Sequence, residues 1–151
     1  METKHNKIVT ENRKARYNYY IEDTYEAGIA LLGTEVKALR LGRANLKDSY
    51  AKIRGSEVFV YQMHIGPYPY AKYENHDPLR RRKLLLHKHE IKKLYGKVNE
   101  MGFSLIPLTV YFKNGKAKIT LALAKGKRKY DKRETIKKRD EKRELERGKR
   151  G

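Results

Sequence analysis

Alternating apolar residues on both sides of Asn114-Gly115 predict a β-hairpin near residue 115. This dipeptide tolerates the positive φ angles of a two-residue type I′ turn. One face of the hairpin would be wholly apolar, which fixes the register. Pro107 lies on the other face and indicates an edge strand or a barrel rim. The predicted apolar pairs are Ile106 with Leu123, Leu108 with Leu121, Val110 with Ile119, and Phe112 with Ala117.

Apolar residues at helical spacing predict two helices. The stronger pattern covers residues 87–101 and is followed by Gly102, which suits the position just after a helix end. The weaker pattern covers residues 34–41, closes at Gly42, and points Val36 and Leu39 inward. For the longer helix, we expect the inward residues to be Ile91, Leu94, Tyr95, Val98 and Met101.

Shorter alternating segments predict the remaining strands. Residues 17–21 and 25–31 are expected on either side of a turn at Glu22-Asp23, and Tyr17 and Tyr19 share a side. Residues 51–53 and 59–65 flank a second turn at Gly55-Ser56. Six short strands suit a small closed barrel better than a sandwich. We therefore expect a mainly β fold, an OB-like closed six-stranded barrel with two or three helices and a functional long loop at 66–83.

The composition indicates that the protein binds a polyanion. The chain has 151 residues, with 37 Lys and Arg against 18 Asp and Glu, a formal net charge of +19. Residues 125–151 carry 14 of the basic and 6 of the acidic residues and few apolar groups. We expect an RNA-binding barrel at 1–124 and a basic tail at 125–151, disordered when free and helical on RNA. A solvated tail that only improves solubility is the alternative.

Several functional classes are excluded by residue type. Cysteine is absent, so disulfides and thiolate metal sites are ruled out. No apolar run approaches about 18 residues and no signal peptide is visible, so we expect a cytoplasmic protein without membrane association. His87 and His89 stand at a predicted helix start, where we expect them to diverge, so we predict neither metal nor cofactor. No nucleophile or nucleotide motif is present, and no catalytic residue is predicted.

Two basic clusters are candidate RNA contacts. Arg13, Lys14 and Arg16 follow Asn12 and accompany Tyr17 and Tyr19. Such a segment offers cations to phosphates and ring faces to unstacked bases, although one or two tyrosines could instead fill the barrel. The second cluster, residues 80–83, ends the long loop. Its guanidinium groups could hold a phosphate backbone or form a solvated face.

Several blocks in order resemble the small protein B (SmpB) family, the bacterial tmRNA (SsrA RNA)-binding proteins. The resemblance covers nearly the whole chain. Its blocks are NRKAR at 12–16, IEDTYEAG at 21–28, GTEVK at 33–37 with LR at 39–40, NLKDSY at 45–50, DPL at 77–79 before RKLLL at 82–86, and AKGK at 124–127 before DKR at 131–133.

This resemblance implies a non-catalytic adaptor in ribosome rescue. Such a protein binds the tRNA-like domain of tmRNA and delivers alanyl-tmRNA to stalled ribosomes for trans-translation. Its tail occupies the empty mRNA channel as a helix, contacting small-subunit rRNA at the decoding centre. Elongation factor Tu and alanyl-tRNA synthetase are implied as indirect partners through tmRNA, and a monomer is expected. The alternative is a ribosomal protein or OB-fold translation factor that binds rRNA, and a small nuclease is a more distant one.

The resemblance also implies site residues. Glu26 would either accept hydrogen bonds from base or sugar groups or orient a nearby Arg. The predicted tmRNA contacts are Asn12, Arg13, Lys14, Arg16, Tyr17, Tyr19, Glu26, Arg82, Lys83, Leu84 and Leu85. The predicted decoding-centre contacts are Gly126, Lys127, Tyr130, Asp131, Lys132 and Arg133, where Tyr130 replaces a histidine found in many relatives.

Overall fold

The computed structural model describes residues 6–127, which form nine strands and three helices. Their bounds in chain order are β1 Asn6–Glu11, α1 Ala15–Asn18, β2 Tyr19–Ile29, α2 Gly33–Arg40, β3 Ala44–Asn45, β4 Tyr50–Arg54, β5 Glu57–Tyr61, β6 His64–Ile65, β7 Arg82–Leu85, α3 Lys88–Met101, β8 Ser104–Lys113 and β9 Lys116–Gly126.

Six antiparallel strands pair in a ring. Their order is β8, β4, β5, β7, β2 and β9, and β9 pairs again with β8 to close the circuit. β1 lies outside the ring against β8, and β3 pairs with β6 in a separate two-stranded sheet. The prediction of a mainly β fold with six main strands and two or three helices is thus confirmed.

Two hydrophobic clusters stabilise these elements. The main core combines side chains from the ring with residues of α2 and α3, and Leu39, Leu94 and Ile119 are fully buried in it. A smaller cluster of Ala15, Ile106, Leu108, Ala122 and Ala124 lies apart from that core. Tyr19 and Tyr50 pack partly against the smaller cluster, which therefore supports the surface on which they lie.

The hairpin predicted at Asn114-Gly115 forms from β8 and β9. Asn114 and Gly115 have φ angles of 51° and 78°, as the turn requires. The predicted register is correct from the turn to Thr109, which pairs with Thr120.

A β-bulge at Leu108 then shifts this register, so the predicted pairs of Leu108 with Leu121 and Ile106 with Leu123 are wrong. Pro107 pairs with Leu121, and Ile106 pairs with Ala122. The extra residue turns Ile106 and Leu108 into the smaller cluster instead of the main core. Pro107 is not on an edge strand, because β8 has neighbours on both sides. It lies at the bulge, one of the few places where a sheet accepts proline.

The turn predicted at Glu22-Asp23 is also wrong. β2 continues through these residues, with a register shift against β9 between Ile21 and Asp23. The acidic pair therefore lies at a bulge, which bends a strand without ending it. Tyr17 belongs to α1 and Tyr19 begins β2, so the two tyrosines do not share a strand face as predicted.

The predicted β4–β5 hairpin forms, and Gly55 has a φ of 64° in its turn. The alternation beyond it changes face. Val58 and Val60 are fully buried, whereas Phe59 and Tyr61 remain half-buried on the other face. Gln62 has a φ of 59°, which reverses the alternation and brings Met63 into the core. The alternating pattern predicts one face for Phe59, Tyr61, Met63 and Ile65, and this is wrong, because only Met63 and Ile65 are buried.

Both predicted helices are present as α2 and α3. The N–H of His87 donates to Glu90 Oε1 at 3.1 Å, and Gly102 ends α3 with a φ of 70°. Leu94 is fully buried, but Tyr95 and Met101 are more than half exposed, so their predicted inward position is wrong. The long loop is shorter than predicted, because residues 82–85 form β7.

Candidate RNA-binding surface

A cleft of about 710 Å³ lies between the segment that follows β1 and the segment that joins β3 to β4. Asn12 fixes the first wall: its side-chain Nδ2 donates to the Pro107 carbonyl at 3.1 Å, and its N–H donates to the Leu108 carbonyl at 2.7 Å. The buried Ala15 then anchors α1. The cleft is lined by Glu11, Asn12, Arg13, Lys14, Ala15, Asn18, Tyr19, Asn45, Lys47, Asp48, Ser49, Tyr50 and Ile106.

Four of the predicted contacts line this cleft, namely Asn12, Arg13, Lys14 and Tyr19. Arg16 is exposed on α1 beside it and Tyr17 is half-buried, but neither lines the cleft. Exposed cations next to a tyrosine ring can hold phosphates and stack unpaired bases. The first basic cluster therefore forms a surface that suits folded RNA.

The opposite wall, residues 45–50, was missed as a site by sequence reasoning. Asn45 Oδ1 accepts the Lys47 N–H at 2.7 Å, and Ser49 Oγ donates to the Leu46 carbonyl at 2.6 Å. The buried Leu46 anchors this turn, while Lys47 and Asp48 are exposed. The polar run around a single leucine was visible in the sequence, but its position beside residues 12–15 depends on the fold.

The second basic cluster is divided between the interior and the surface. Arg82 is fully buried, and its Nε donates to Glu35 Oε2 at 2.5 Å. Its Nη1 donates to the Met63 carbonyl at 2.5 Å, and its Nη2 lies 3.2 Å from the Pro78 carbonyl. Arg80 Nη2 binds the other oxygen, Glu35 Oε1, at 2.6 Å. The prediction that Arg82 contacts RNA is therefore wrong, because its guanidinium is enclosed and bound.

Glu35 itself carried no predicted role. Burial raises the pKa of its carboxyl, but the hydrogen bonds from Arg80, from the Leu32 N–H at 2.7 Å and from Arg82 hold that pKa below its ordinary value. Burial in turn lowers the pKa of Arg82, and Glu35 opposes this effect. Arginine remains charged in proteins, so the structure buries a complete ion pair.

The strand after Arg82 alternates between the interior and the surface. Leu84 is 1% exposed in the main core, so its predicted RNA contact is wrong. Lys83 lies outside and binds Glu57 Oε2 at 2.8 Å, and both side chains are nearly half exposed. Leu85 is 52% exposed and pairs with Gly28 of β2. A Cβ atom at Gly28 would lie 3.3 Å from Leu85 Cβ, so glycine permits this close pairing.

Glu26 lies on β2 with its side chain partly exposed. It accepts a hydrogen bond from the Tyr111 hydroxyl, and Lys113 Nζ lies 3.5 Å from its Oε2. The tyrosine hydrogen bond is the main reason why the pKa of Glu26 is lowered, and Lys113 adds to this. Burial and the bond to Glu26 raise the pKa of Tyr111 to about 12. The observed partners of Glu26 are thus a tyrosine and a lysine, and the described residues do not pair it with an arginine.

The root of the predicted tail is fixed to the same part of the fold. Gly126 pairs with Tyr19, and the Lys127 N–H donates to the Asn18 carbonyl at 2.8 Å. Lys127 Nζ lies 4.9 Å from the centre of the Tyr20 ring. The other predicted decoding-centre contacts lie outside the described residues, as does the predicted tail helix: Tyr130, Asp131, Lys132 and Arg133.

Two further features bear on the excluded classes. The rings of His87 and His89 stack with centroids 5.5 Å apart, so the predicted divergence of these side chains is wrong. Across residues 6–127 no group of three or more histidine, aspartate or glutamate side chains is placed to hold a metal ion. The helices of that part of the chain are all too short or too polar to span a bilayer.

Comparison with known proteins extends these observations. A model of the SmpB protein family matches residues 9–151. The SsrA-binding proteins of Bacillus subtilis and Syntrophobacter fumaroxidans are 57% and 60% identical over 141 residues, which is 93% of this chain and 90% and 88% of theirs. A chain from a solved structure described as "tmRNA-SmpB: a journey to the center of the bacterial ribosome" is 49% identical with a TM-score of 0.67. That match covers 84% of this chain and 93% of that one.

Proposed function

We propose that this chain, which belongs to the SmpB protein family, binds the tRNA-like domain of tmRNA through the cleft described above. The cleft is the observation that carries the proposal, because it joins cations, amides and aromatic rings from two separate segments. Support comes from the names of close relatives, SsrA-binding protein, and from the tmRNA-SmpB structure that contains a similar chain.

Both walls of the cleft would contribute contacts to the RNA. Arg13, Lys14 and Lys47 are exposed and would hold phosphates, and each neutralised phosphate adds to the salt dependence of binding. Tyr19 and Tyr50 would stack unpaired bases, at about 1–3 kcal/mol per base. Such a surface fits the elbow and D-loop of a tRNA-like fold, where bases leave the helical stack.

A second part of the contact would lie on β7 and β2. Lys83 and Leu85 face outward on β7, and Glu26 lies on the neighbouring β2. Because Tyr111 and Lys113 keep the pKa of Glu26 low, its carboxylate stays ionised and can accept hydrogen bonds from base or sugar groups. Arg82 would act from the interior by holding β7 and the preceding loop in place.

We also propose the wider role that the family resemblance implies. The protein would deliver alanyl-tmRNA to stalled ribosomes in the cytoplasm, as a monomeric, non-catalytic adaptor with an OB-like ring and no cofactor. Residues 125–151 would enter the mRNA channel as a helix, with Gly126, Lys127, Tyr130 and the 131–133 segment at the decoding centre. Elongation factor Tu and alanyl-tRNA synthetase would meet it only through tmRNA.

A gel shift with the tRNA-like domain of tmRNA and an unrelated hairpin RNA of equal length tests the first claim. We expect clearly tighter binding of the tRNA-like domain at matched salt, and Tyr19→Ala should reduce that preference. Met101→Ala is the control for loss of a large exposed side chain, since Met101 is more than half exposed at the end of α3 and is not among the residues that line the cleft. Equal affinity for both RNAs would contradict the tmRNA claim and favour a general rRNA-binding protein.

Removal of residues 130–151 tests the division of labour. Binding of the tRNA-like domain should remain nearly intact, because the truncated chain keeps every residue that lines the cleft in the described part of the protein. Tagging of nascent chains on stalled ribosomes should be abolished in a reconstituted translation system. Loss of tmRNA binding in the truncated protein would show that the proposed division is wrong.

A further inference from the structure

The loop between β6 and β7 carries three tyrosines beside α2. Tyr70 is 74% exposed and Tyr73 is 91% exposed, whereas Tyr68 is half-buried. A pocket of about 640 Å³ lies between this loop and α2. It shares no lining residue with the cleft of the proposed tmRNA site. We name residues 68–76 the tyrosine loop.

Hydrogen bonds hold the ends of the tyrosine loop together and attach it to the fold. Asn75 Nδ2 donates to the Tyr68 carbonyl at 3.0 Å, and the Tyr68 N–H donates to Asn75 Oδ1 at 3.0 Å. His76 is buried, and its Nε2 lies 2.9 Å from the Ile65 carbonyl, which can only accept. His76 Nε2 therefore donates, and in the neutral ring Nδ1 accepts from the Thr34 hydroxyl at 2.9 Å.

The segment that follows the tyrosine loop, residues 77–82, is held in place by buried polar contacts. Arg82 binds the carbonyl of Pro78, and Arg80 and Arg82 share the buried Glu35 of α2. The exposed rings are thus presented by an ordered segment. A surface that is ordered before binding loses less entropy when a ligand arrives. Contiguous exposed apolar surface with a polar rim marks interaction sites, and Tyr70 and Tyr73 lie three residues apart on this segment.

The chemistry around the rings favours a nucleotide. Tyr68 and Tyr70 meet edge to face with centroids 5.6 Å apart, and Lys37 Nζ lies 5.6 Å from the Tyr68 ring centre. Lys37 and Lys72 both line the pocket, and Glu74 is the one carboxylate among the described residues that line it. Ring faces stack bases of any sequence, and amines hold the accompanying phosphates.

We propose that the tyrosine loop and α2 form a second RNA-binding site, which takes one or two unpaired nucleotides. A base would stack on Tyr70 or Tyr73, and Lys37 and Lys72 would hold its phosphates. This site does not depend on the identity of the RNA in the cleft, so it stands whether or not that RNA is tmRNA. The molecule would then have two separate RNA-binding sites.

The test uses the full-length chain and a fluorescent hexamer of adenosine nucleotides at fixed salt. Tyr70→Ala with Tyr73→Ala should weaken binding about 10-fold, since stacking contributes about 1–3 kcal/mol per base. Tyr70→Phe with Tyr73→Phe should bind nearly as the parent does, because the ring faces remain. Tyr95→Ala is the control for loss of an exposed tyrosine elsewhere, and it should leave the affinity unchanged.

A site-specific measurement accompanies the affinities because the basic tail also attracts RNA. In protein with ¹³C-labelled tyrosine, the hexamer should shift the ring resonances of Tyr70 and Tyr73, assigned through the Phe variants. Tyr19→Ala should leave these shifts in place even where it weakens binding of the tRNA-like domain, so the two sites can fail separately.

Three results would overturn the second site. The first is a double Ala variant that binds the hexamer as tightly as the parent, or that is weakened no more than Tyr95→Ala. The second is that the resonances of Tyr70 and Tyr73 stay in place as the hexamer is added. The third is a proline-rich peptide that moves these resonances when the hexamer does not, which would assign the loop to a protein partner instead.

Discussion

The two arginine-containing clusters read alike in the sequence and have opposite positions in the structure. Arg13 and Arg16 are exposed at the cleft and beside it. Arg82 is fully buried, and Arg80 is partly covered on the same carboxylate. One cluster thus offers its charge to a ligand, whereas part of the other uses its charge within the fold.

The difference comes from one carboxylate on another element. Glu35 lies in the first turn of α2 and is fully buried against Arg80 and Arg82. Within residues 6–127, no acidic side chain forms an ion pair with Arg13, Lys14 or Arg16. A run of positive charge therefore marks a binding surface only where the fold leaves it without an internal partner.

The largest expected effect is on the buried pair. Glu35→Gln should lower the free energy of unfolding by about 3–5 kcal/mol, because it leaves the Arg82 guanidinium buried without a compensating charge. Glu100→Gln, at an exposed carboxylate of α3, is the matched control and should change stability by about 0.5 kcal/mol or less. Urea denaturation measures both. If Glu35→Gln lowers the free energy of unfolding by less than about 1 kcal/mol, the proposed distinction between the two clusters is wrong.

Substitutions in the exposed cluster should weaken RNA binding and leave the free energy of unfolding nearly unchanged. Arg13→Gln with Arg16→Gln should weaken binding of the tRNA-like domain about 10-fold. The slope of log affinity against log salt should become shallower by about 0.7–0.9 for each phosphate that the variant no longer neutralises. Lys92→Gln on α3 tests whether any exposed cation has the same effect. If it weakens binding equally, the cleft is not the binding surface.

Acid should affect the buried pair through Glu35. The pKa of Glu35 is lower in the folded chain than its ordinary value of 4.5. Its stabilisation is therefore complete above about pH 4.5 and is lost as pH falls through the folded pKa. Arg80→Gln removes a cause of the lowering, so the folded pKa of Glu35 should move towards its ordinary value and the loss of stability below pH 4.5 should be smaller than in the parent. Lys83→Gln, in an exposed pair, should keep the parental pH profile in denaturation experiments.

The smallest effect concerns Glu26, whose partners are partly exposed. Tyr111→Phe removes the hydrogen bond that does most to lower the pKa of Glu26, so that pKa should rise. A ¹³C NMR titration of the glutamate side chains measures it, with Tyr95→Phe as the control. An unchanged pKa would mean that Lys113 and Lys118 alone keep this carboxylate ionised.

Local chemistry allowed much of the fold to be predicted. Asn114-Gly115, Gly55-Ser56 and Gly102 mark turns and a helix end that the structure contains. The predicted faces failed at Leu108 and Gln62, where a bulge and a positive φ angle reverse the alternation. Neither Leu108 nor Gln62 is a residue type that marks a bulge or a positive φ angle, so the alternation pattern alone does not show where it reverses.

The candidate site was only half predictable for a related reason. Residues 12–16 show their chemistry in the sequence, because cations and rings are adjacent there. The wall at 45–50 and the burial of Arg82 depend on contacts between residues far apart in the chain, such as Glu35 with Arg82. Sequence spacing does not reveal such contacts, so charge alone could not separate the two clusters.

The pairing of Gly126 with Tyr19 gives the molecule a fixed point of departure for the chain beyond residue 127. The Lys127 N–H donates to the Asn18 carbonyl, so residues 126 and 127 are held beside Tyr19, which lines the cleft. In the proposed binding mode, Lys127 therefore lies at a fixed position relative to the RNA in the cleft. Inserting one residue before Lys127 would disrupt this arrangement, because a shift of one residue along a strand moves each side chain to the opposite face.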